Sequence, residues 1–243
     1  MYKDNRLNEW FVPKFGPRKF RLFCGMLFLP YTGMCISFVI WGNIIVNDHD
    51  YKRLGVIVLI YFLSLGVAAH IADNIGSKKI KPWGDFLDKR QSWIIIIICL
   101  VVSYVLGVYY ALVHAPLLIL LGIAEGFFLF AYNFELFGGR FHNNFWFAIS
   151  WGMLPFLAGF VIQTDSMTLK SISISLIPLL LSYLEIRVSR LYKEDKRANN
   201  ITNKTSLYEI ILKTLSIGTI SITIVLLLIP IFLQLFEIYY HNL

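Results

Sequence analysis

Charge is scarce in this sequence. Of its 243 residues only 15% are Asp, Glu, Lys or Arg, whereas a soluble domain carries about 25%. Cysteine is scarcer still. Cys24, Cys35 and Cys99 show no metal-ligand spacing and cannot all pair, so no disulfide framework and no disulfide partner is expected. They read as small apolar packing residues. No repeat, low-complexity tract or second domain is visible. The opening stretch MYKDNRLNEW has neither the apolar core nor the cleavage site of a signal peptide, so none is expected to be removed. These absences exclude a disordered, collagen-like or ordinary cytosolic chain.

Hydrophobicity is what the sequence has in excess, at 57% of residues and a mean hydropathy of +0.66. Long apolar stretches predict an all-α integral membrane protein with about seven transmembrane helices: 22–46, 54–72, 93–113, 116–137, 145–163, 169–186 and 210–236. Each is long enough to cross a hydrocarbon core of about 30 Å. Residues 1–21 form a basic and aromatic segment suited to the headgroup region, and 22–243 a polytopic helical domain. The polar stretch KEDKRANNITNKTS after the sixth span reads as a solvated loop.

The cationic side chains divide unevenly between the two sides. With these spans, 19 Lys and Arg lie on one side, and only Lys52, Arg53 and Lys170 on the other. Retention of basic loops in the cytoplasm then puts the amino terminus inside and the carboxy terminus outside a cell membrane. The net charge of +7 is thereby explained as a topology signal, so no nucleic-acid partner is expected. The sequons at Asn200 and Asn203 fall in the cytoplasmic loop and should not be glycosylated.

Ionisable groups inside a membrane cost several kcal/mol unless paired or hydrated, and so become functional candidates. The second span ends AAHIADNIGSKK, where His70, Asp73, Asn74 and Ser77 share one helical face. A carboxylate beside an amide and an imidazole suits Mg²⁺ held mainly by substrate phosphates and water. Lys78 comes next as a cation for phosphate. The plain reading of the same residues is a polar helix end with a basic stop-transfer run. Glu125 sits near the middle of the fourth span, between Gly122 and Gly126 at a spacing that admits close helix approach. It serves either a cross-helix hydrogen bond or a pocket. That span exits through YNFELFGGRFHNNFWF, which gathers Tyr132, Asn133, Glu135, Arg140 and His142 around a glycine pair. A tight turn needs only the glycines. The sixth span leaves through LEIRVSRLYKEDKR, with Glu185, Arg187, Ser189 and Arg190 on what reads as a solvated helix end.

Two of these regions carry a family resemblance. HIADNIGSKKIKPWGDFLDKRQSW and AYNFELFGGRFHNNFWFAISWGMLPFLAGF resemble the Asn/Asp-rich motif after the second helix, and the connection from the fourth to the fifth helix, of the UbiA superfamily of intramembrane prenyltransferases. The likeness spans about residues 20–200. It implies a helical bundle around a cavity in which an isoprenyl diphosphate on Mg²⁺ meets a hydrophobic acceptor within membrane lipids. The match implies Asp73, Glu185 and Tyr132 as catalytic residues, with Asp73 and Glu185 at the metal. Substrate contacts would come from His70, Asn74, Ser77, Lys78, Glu125, Asn133, Glu135, Arg140, Arg187 and Arg190. The pattern departs from the family at Ser77, where a further aspartate is common, at Glu185 and Ser189 in place of the second aspartate motif, and in showing seven spans where nine are usual. Those departures leave a non-catalytic lipid-binding or transport protein of the same fold as the alternative.

Overall fold

The structure is a computed structural model that describes residues 5–76, 83, 87–198 and 202–241, with side chains from 7 to 230 within those ranges. Its regular elements are helical throughout, and six continuous stretches are long and apolar enough to cross a membrane. The first is broken into α1 (Arg18–Met26) and α2 (Leu29–Ile44). The others are α3 (Tyr51–Gly76), α4 (Lys89–Val113), α6 (Asn144–Thr164), α7 (Leu169–Arg197) and α8 (Asn203–His241). Between α4 and α6 lies a shorter apolar helix, α5 (Leu118–Asn133), of 16 residues. At 1.5 Å per residue α5 is about 24 Å long, so where the span 116–137 is expected the helix is shorter than the six.

Hydrophobic runs locate each helix but mark its ends poorly, because polar residues extend it. Asp88 and Gln91 form a reciprocal cap that starts α4 at Lys89, and Thr168 and Ser171 do the same for α7. The largest correction concerns α7, which continues past 186 to Arg197. Because α8 begins at Asn203, most of the expected loop KEDKRANNITNKTS is helix, and Glu185 lies inside α7 rather than at a solvated end. The reason is a buried seam: Ser171, Ser175, Pro178, Ser182, Glu185, Ser189 and Tyr192 are spaced alternately by four and three. Small hydroxyl residues on such a seam let membrane helices approach closely. Helix α8 continues the pattern with buried Leu212, Ser216, Thr219 and Thr223. Thr223 accepts a hydrogen bond from the Trp41 indole at 2.7 Å, tying α8 to α2.

Glycine sets the tightest crossing. A Cβ on Gly42 would run into the Phe156 carbonyl, and one on Gly159 into the Val39 carbonyl. Helices α2 and α6 thus touch backbone to backbone, with Phe38, Val39, Phe156 and Val161 buried around them. Gly76 meets the Asn133 carbonyl in the same way, which holds the last turn of α3 against that of α5.

The helix ends sort into two groups. At one end Asp50 caps α3, and its backbone exchanges two 2.9 Å hydrogen bonds with the Gln163 amide. There Arg53 also reaches the Ile162 carbonyl and His114, and Asp165 accepts from the Leu117 N–H. At the other end Tyr192 donates toward Glu9 and Glu209, and Thr205 donates to Asp195. Residues 5–17, the larger part of the expected interfacial segment, are strapped there. Arg21 holds the Leu7 and Pro13 carbonyls at 2.7 Å.

Candidate functional site

Three backbone irregularities converge at the end of the bundle where the strap lies. Between α1 and α2, Phe28 takes a left-handed conformation (φ 46°), which turns its ring inward onto Tyr31, 4.1 Å away. Within α3, residues Phe62–Ala69 wind as π-helix, and within α6 so do Ile149–Met153. Such bulges rotate the next turns of the helix about its axis and are common at functional sites. Here they bring His70 and Trp151 to 5.1 Å.

The rings then run in sequence across the bundle. Phe28 lies 5.9 Å from His70, Trp151 stacks on Phe147, and Phe147 lies 5.6 Å from Tyr132. Tyr132 in turn stacks on His142 at 4.4 Å. The turn after α5 makes this last contact possible. Glu135, Phe137, Gly138 and Gly139 all have positive φ, a costly arrangement for the two non-glycine residues. It folds the chain back so that the His142 ring nitrogen Nδ1 lies 2.9 Å from the Tyr132 carbonyl oxygen.

Polar side chains gather against this wall. Arg190 donates from Nη2 to the Tyr132 hydroxyl at 3.4 Å. Asp73 lies within electrostatic reach of Tyr132. His70 Nε2 is 3.2 Å from the Thr32 hydroxyl. Lys193 stands 5.6 Å over the Phe28 ring and within electrostatic reach of both His70 and Glu185. Glu185, 3% exposed, sits on α7 one turn before Ser189, which lies beside the Tyr31 hydroxyl.

The expected site residues divide accordingly. His70, Asp73, Tyr132, Glu185 and Arg190 come to this end of the bundle interior. Asn74 and Asn133 are buried in structural roles: Asn74 accepts the Trp83 N–H at 2.8 Å, and Asn133 donates to the Leu129 carbonyl. Arg187 and Arg140 are exposed, and Glu135 belongs to the left-handed turn. Ser77 and Lys78 lie outside the described residues. Glu125 lies deeper, two turns before Tyr132 on α5, where it accepts a hydrogen bond from Tyr61. Its flanking glycines receive a side chain: Tyr104 lies against Gly126 and donates to the Gly122 carbonyl at 3.0 Å.

Sequence reasoning passed over Phe28, Tyr31, Trp151 and Lys193. Lys193 falls in the stretch that reads as a loop, although it lies two helical turns beyond Glu185 on the same side of α7. Among the described residues no group of three or more His, Cys, Asp or Glu is close enough to hold a metal ion. The carboxylates described therefore do not form a magnesium cage by themselves. Comparison with family models, with curated proteins and with solved structures gives no match.

Proposed function

We propose that this chain is an intramembrane prenyltransferase of the UbiA type, moving an isoprenyl group from a prenyl diphosphate to a lipid-soluble acceptor. The observation that carries the reading is the aromatic wall from Phe28 to His142, with half-buried Arg190 and Lys193 set against it at the strapped end of the bundle. Guanidinium and ammonium groups suit a diphosphate. Ring faces attract a cation, and more strongly where water is excluded. Departure of the diphosphate with the electron pair of its allylic C–O bond leaves a carbocation that the rings can face. An acceptor oxygen or ring carbon then supplies the pair for the new bond and loses its proton to Asp73. Any Mg²⁺ would be held chiefly by the diphosphate and water, with Asp73 its nearest protein ligand.

In this reading the chain crosses a cell membrane seven times, with the strapped end and the amino terminus in the cytoplasm and the carboxy terminus outside. The uneven division of Lys and Arg supports this orientation. A second reading, binding or transport of a lipid without turnover, draws on the Lys193 charge beside Glu185, which answers that carboxylate from within the chain.

The test is turnover. Purified protein in nanodiscs is incubated with radiolabelled prenyl diphosphates of several chain lengths and a lipid extract. Release of diphosphate together with a labelled lipid product supports the transferase. Saturable binding without product selects the second reading, and the absence of both defeats the two together.

A further inference from the structure

A cavity of about 230 Å³ lies between α3, α4 and α5, lined by none of the aromatic-wall residues of the site above. Its mouth is formed by Tyr104, Val108, Ile119 and Ile123, all exposed on helices that are apolar enough to face lipid. Glu125 lies in its wall. The Tyr61 hydroxyl donates to Glu125 Oε1 at 3.0 Å. Oε2 is buried and has no hydrogen-bond partner among the described residues. The hydroxyl protons of the wall are all engaged. Ser64 and Ser103 both donate to the Ile60 carbonyl, and Tyr104 donates to that of Gly122.

A lone unpaired oxygen in an apolar cavity selects its occupant. Water would fill about 230 Å³ only as several molecules, each needing two to four polar partners, and beyond Oε2 this wall offers only the spare lone pairs of four hydroxyls. An ammonium group would bring a charge into an apolar cavity on the membrane side, which is costly. An ether or ketone has no proton for a carboxylate. A hydroxyl can donate to Oε2 when the carboxyl is ionised and accept from it when it is protonated, so it fits both forms. A cavity of about 150 Å³ takes a benzene ring, and this one is larger by roughly a short alkyl chain. We propose that the Glu125 cavity binds a lipid-soluble phenol, admitted from the bilayer between α4 and α5, with its hydroxyl on Oε2 and its ring against the leucines of α3 and α5. This inference stands apart from prenyl transfer, because it uses neither Arg190 nor the aromatic wall.

The experiment uses the full chain in detergent and an alkylphenol bearing a photoreactive diazirine. Labelled peptides are mapped, and 4-propylphenol competes against propylbenzene at matched free concentration. Labelling is expected within 57–65, 100–108 and 118–129, with the phenol competing about tenfold better than the hydrocarbon, as one buried hydrogen bond predicts. Glu125→Leu should bring the two competitors to parity while labelling persists. Ser64→Leu, which fills the cavity, should abolish labelling of these segments. If either variant fails to fold, the wild-type comparison decides alone. Equal competition by phenol and propylbenzene in the wild type, or labelling elsewhere, overturns the proposal.

Discussion

Arg190 reaches from α7 to the Tyr132 hydroxyl, 3.4 Å away, while His142 stacks on a face of the same ring. Tyr132 is thus held by its hydroxyl, its face and its own carbonyl, which His142 approaches at 2.9 Å. The ring face is the part assigned to the reaction. Tyr132→Phe should therefore keep prenyl transfer within a few-fold of wild type, whereas Tyr132→Ala should lower it by about tenfold or more. Steady-state transfer rates of both variants check this, and equal losses would assign the role to the hydroxyl.

The crossing of α2 and α6 depends on Gly42 and Gly159, each of which meets a facing backbone carbonyl. A backbone atom cannot rotate aside as a side chain can, so Gly159→Ala should destabilise by about 1–3 kcal/mol. A Cβ on Gly218, on α8, would meet nothing within 4 Å, and there alanine should stabilise by about 0.5–1 kcal/mol. Thermal unfolding in detergent distinguishes the two, and similar shifts for both would show that the close crossing does not govern stability.

At the opposite end of the bundle, the backbone N–H groups of Lys52 and Arg53 hold the Asp50 carboxyl below its ordinary aspartate value. A carboxyl whose pKa falls on folding contributes stability that is fully present above the unfolded-state pKa, about 3.9, and lost as pH falls through the lower folded value. Asp50→Ala should therefore be less stable than wild type at neutral pH, and the gap should close only in acid below about pH 4. Melting temperatures of both proteins from pH 3 to 7 give the comparison, and a gap constant across that range would contradict the capping account.

Much of the framework was legible because apolar runs are long, and the helices described fall where those runs lie. The ends were less so. Hydropathy registers neither the caps at Asp88 and Thr168 nor the serine seam of α7, since a buried serine scores as polar while packing as a small residue. That omission ended the sixth span at 186, turned residues 193–197 into loop and hid Lys193. The resemblance directed attention to Asp73, Tyr132 and Arg190, of which Arg190 reaches the Tyr132 hydroxyl and Asp73 lies within electrostatic reach of it, and to His70, which packs between Phe28 and Trp151. The aromatic wall could not be read, because it depends on two π-helical segments and a left-handed Phe28. No local propensity announces those features, and tertiary packing sets them.

The proposed function puts a prenyl diphosphate at this end of the bundle. Its most direct test is equilibrium affinity for a labelled, non-hydrolysable prenyl diphosphate, measured with Mg²⁺ and with EDTA on wild type, Arg190→Ala and Asp73→Asn. A charged hydrogen bond lost to phosphate is worth about 1.5–3 kcal/mol, or roughly 10- to 150-fold in affinity. The account predicts a loss in that range for Arg190→Ala in both conditions, and for Asp73→Asn a loss confined to the Mg²⁺ condition. Wild-type binding that is absent, or that is unchanged by Arg190→Ala, would contradict it.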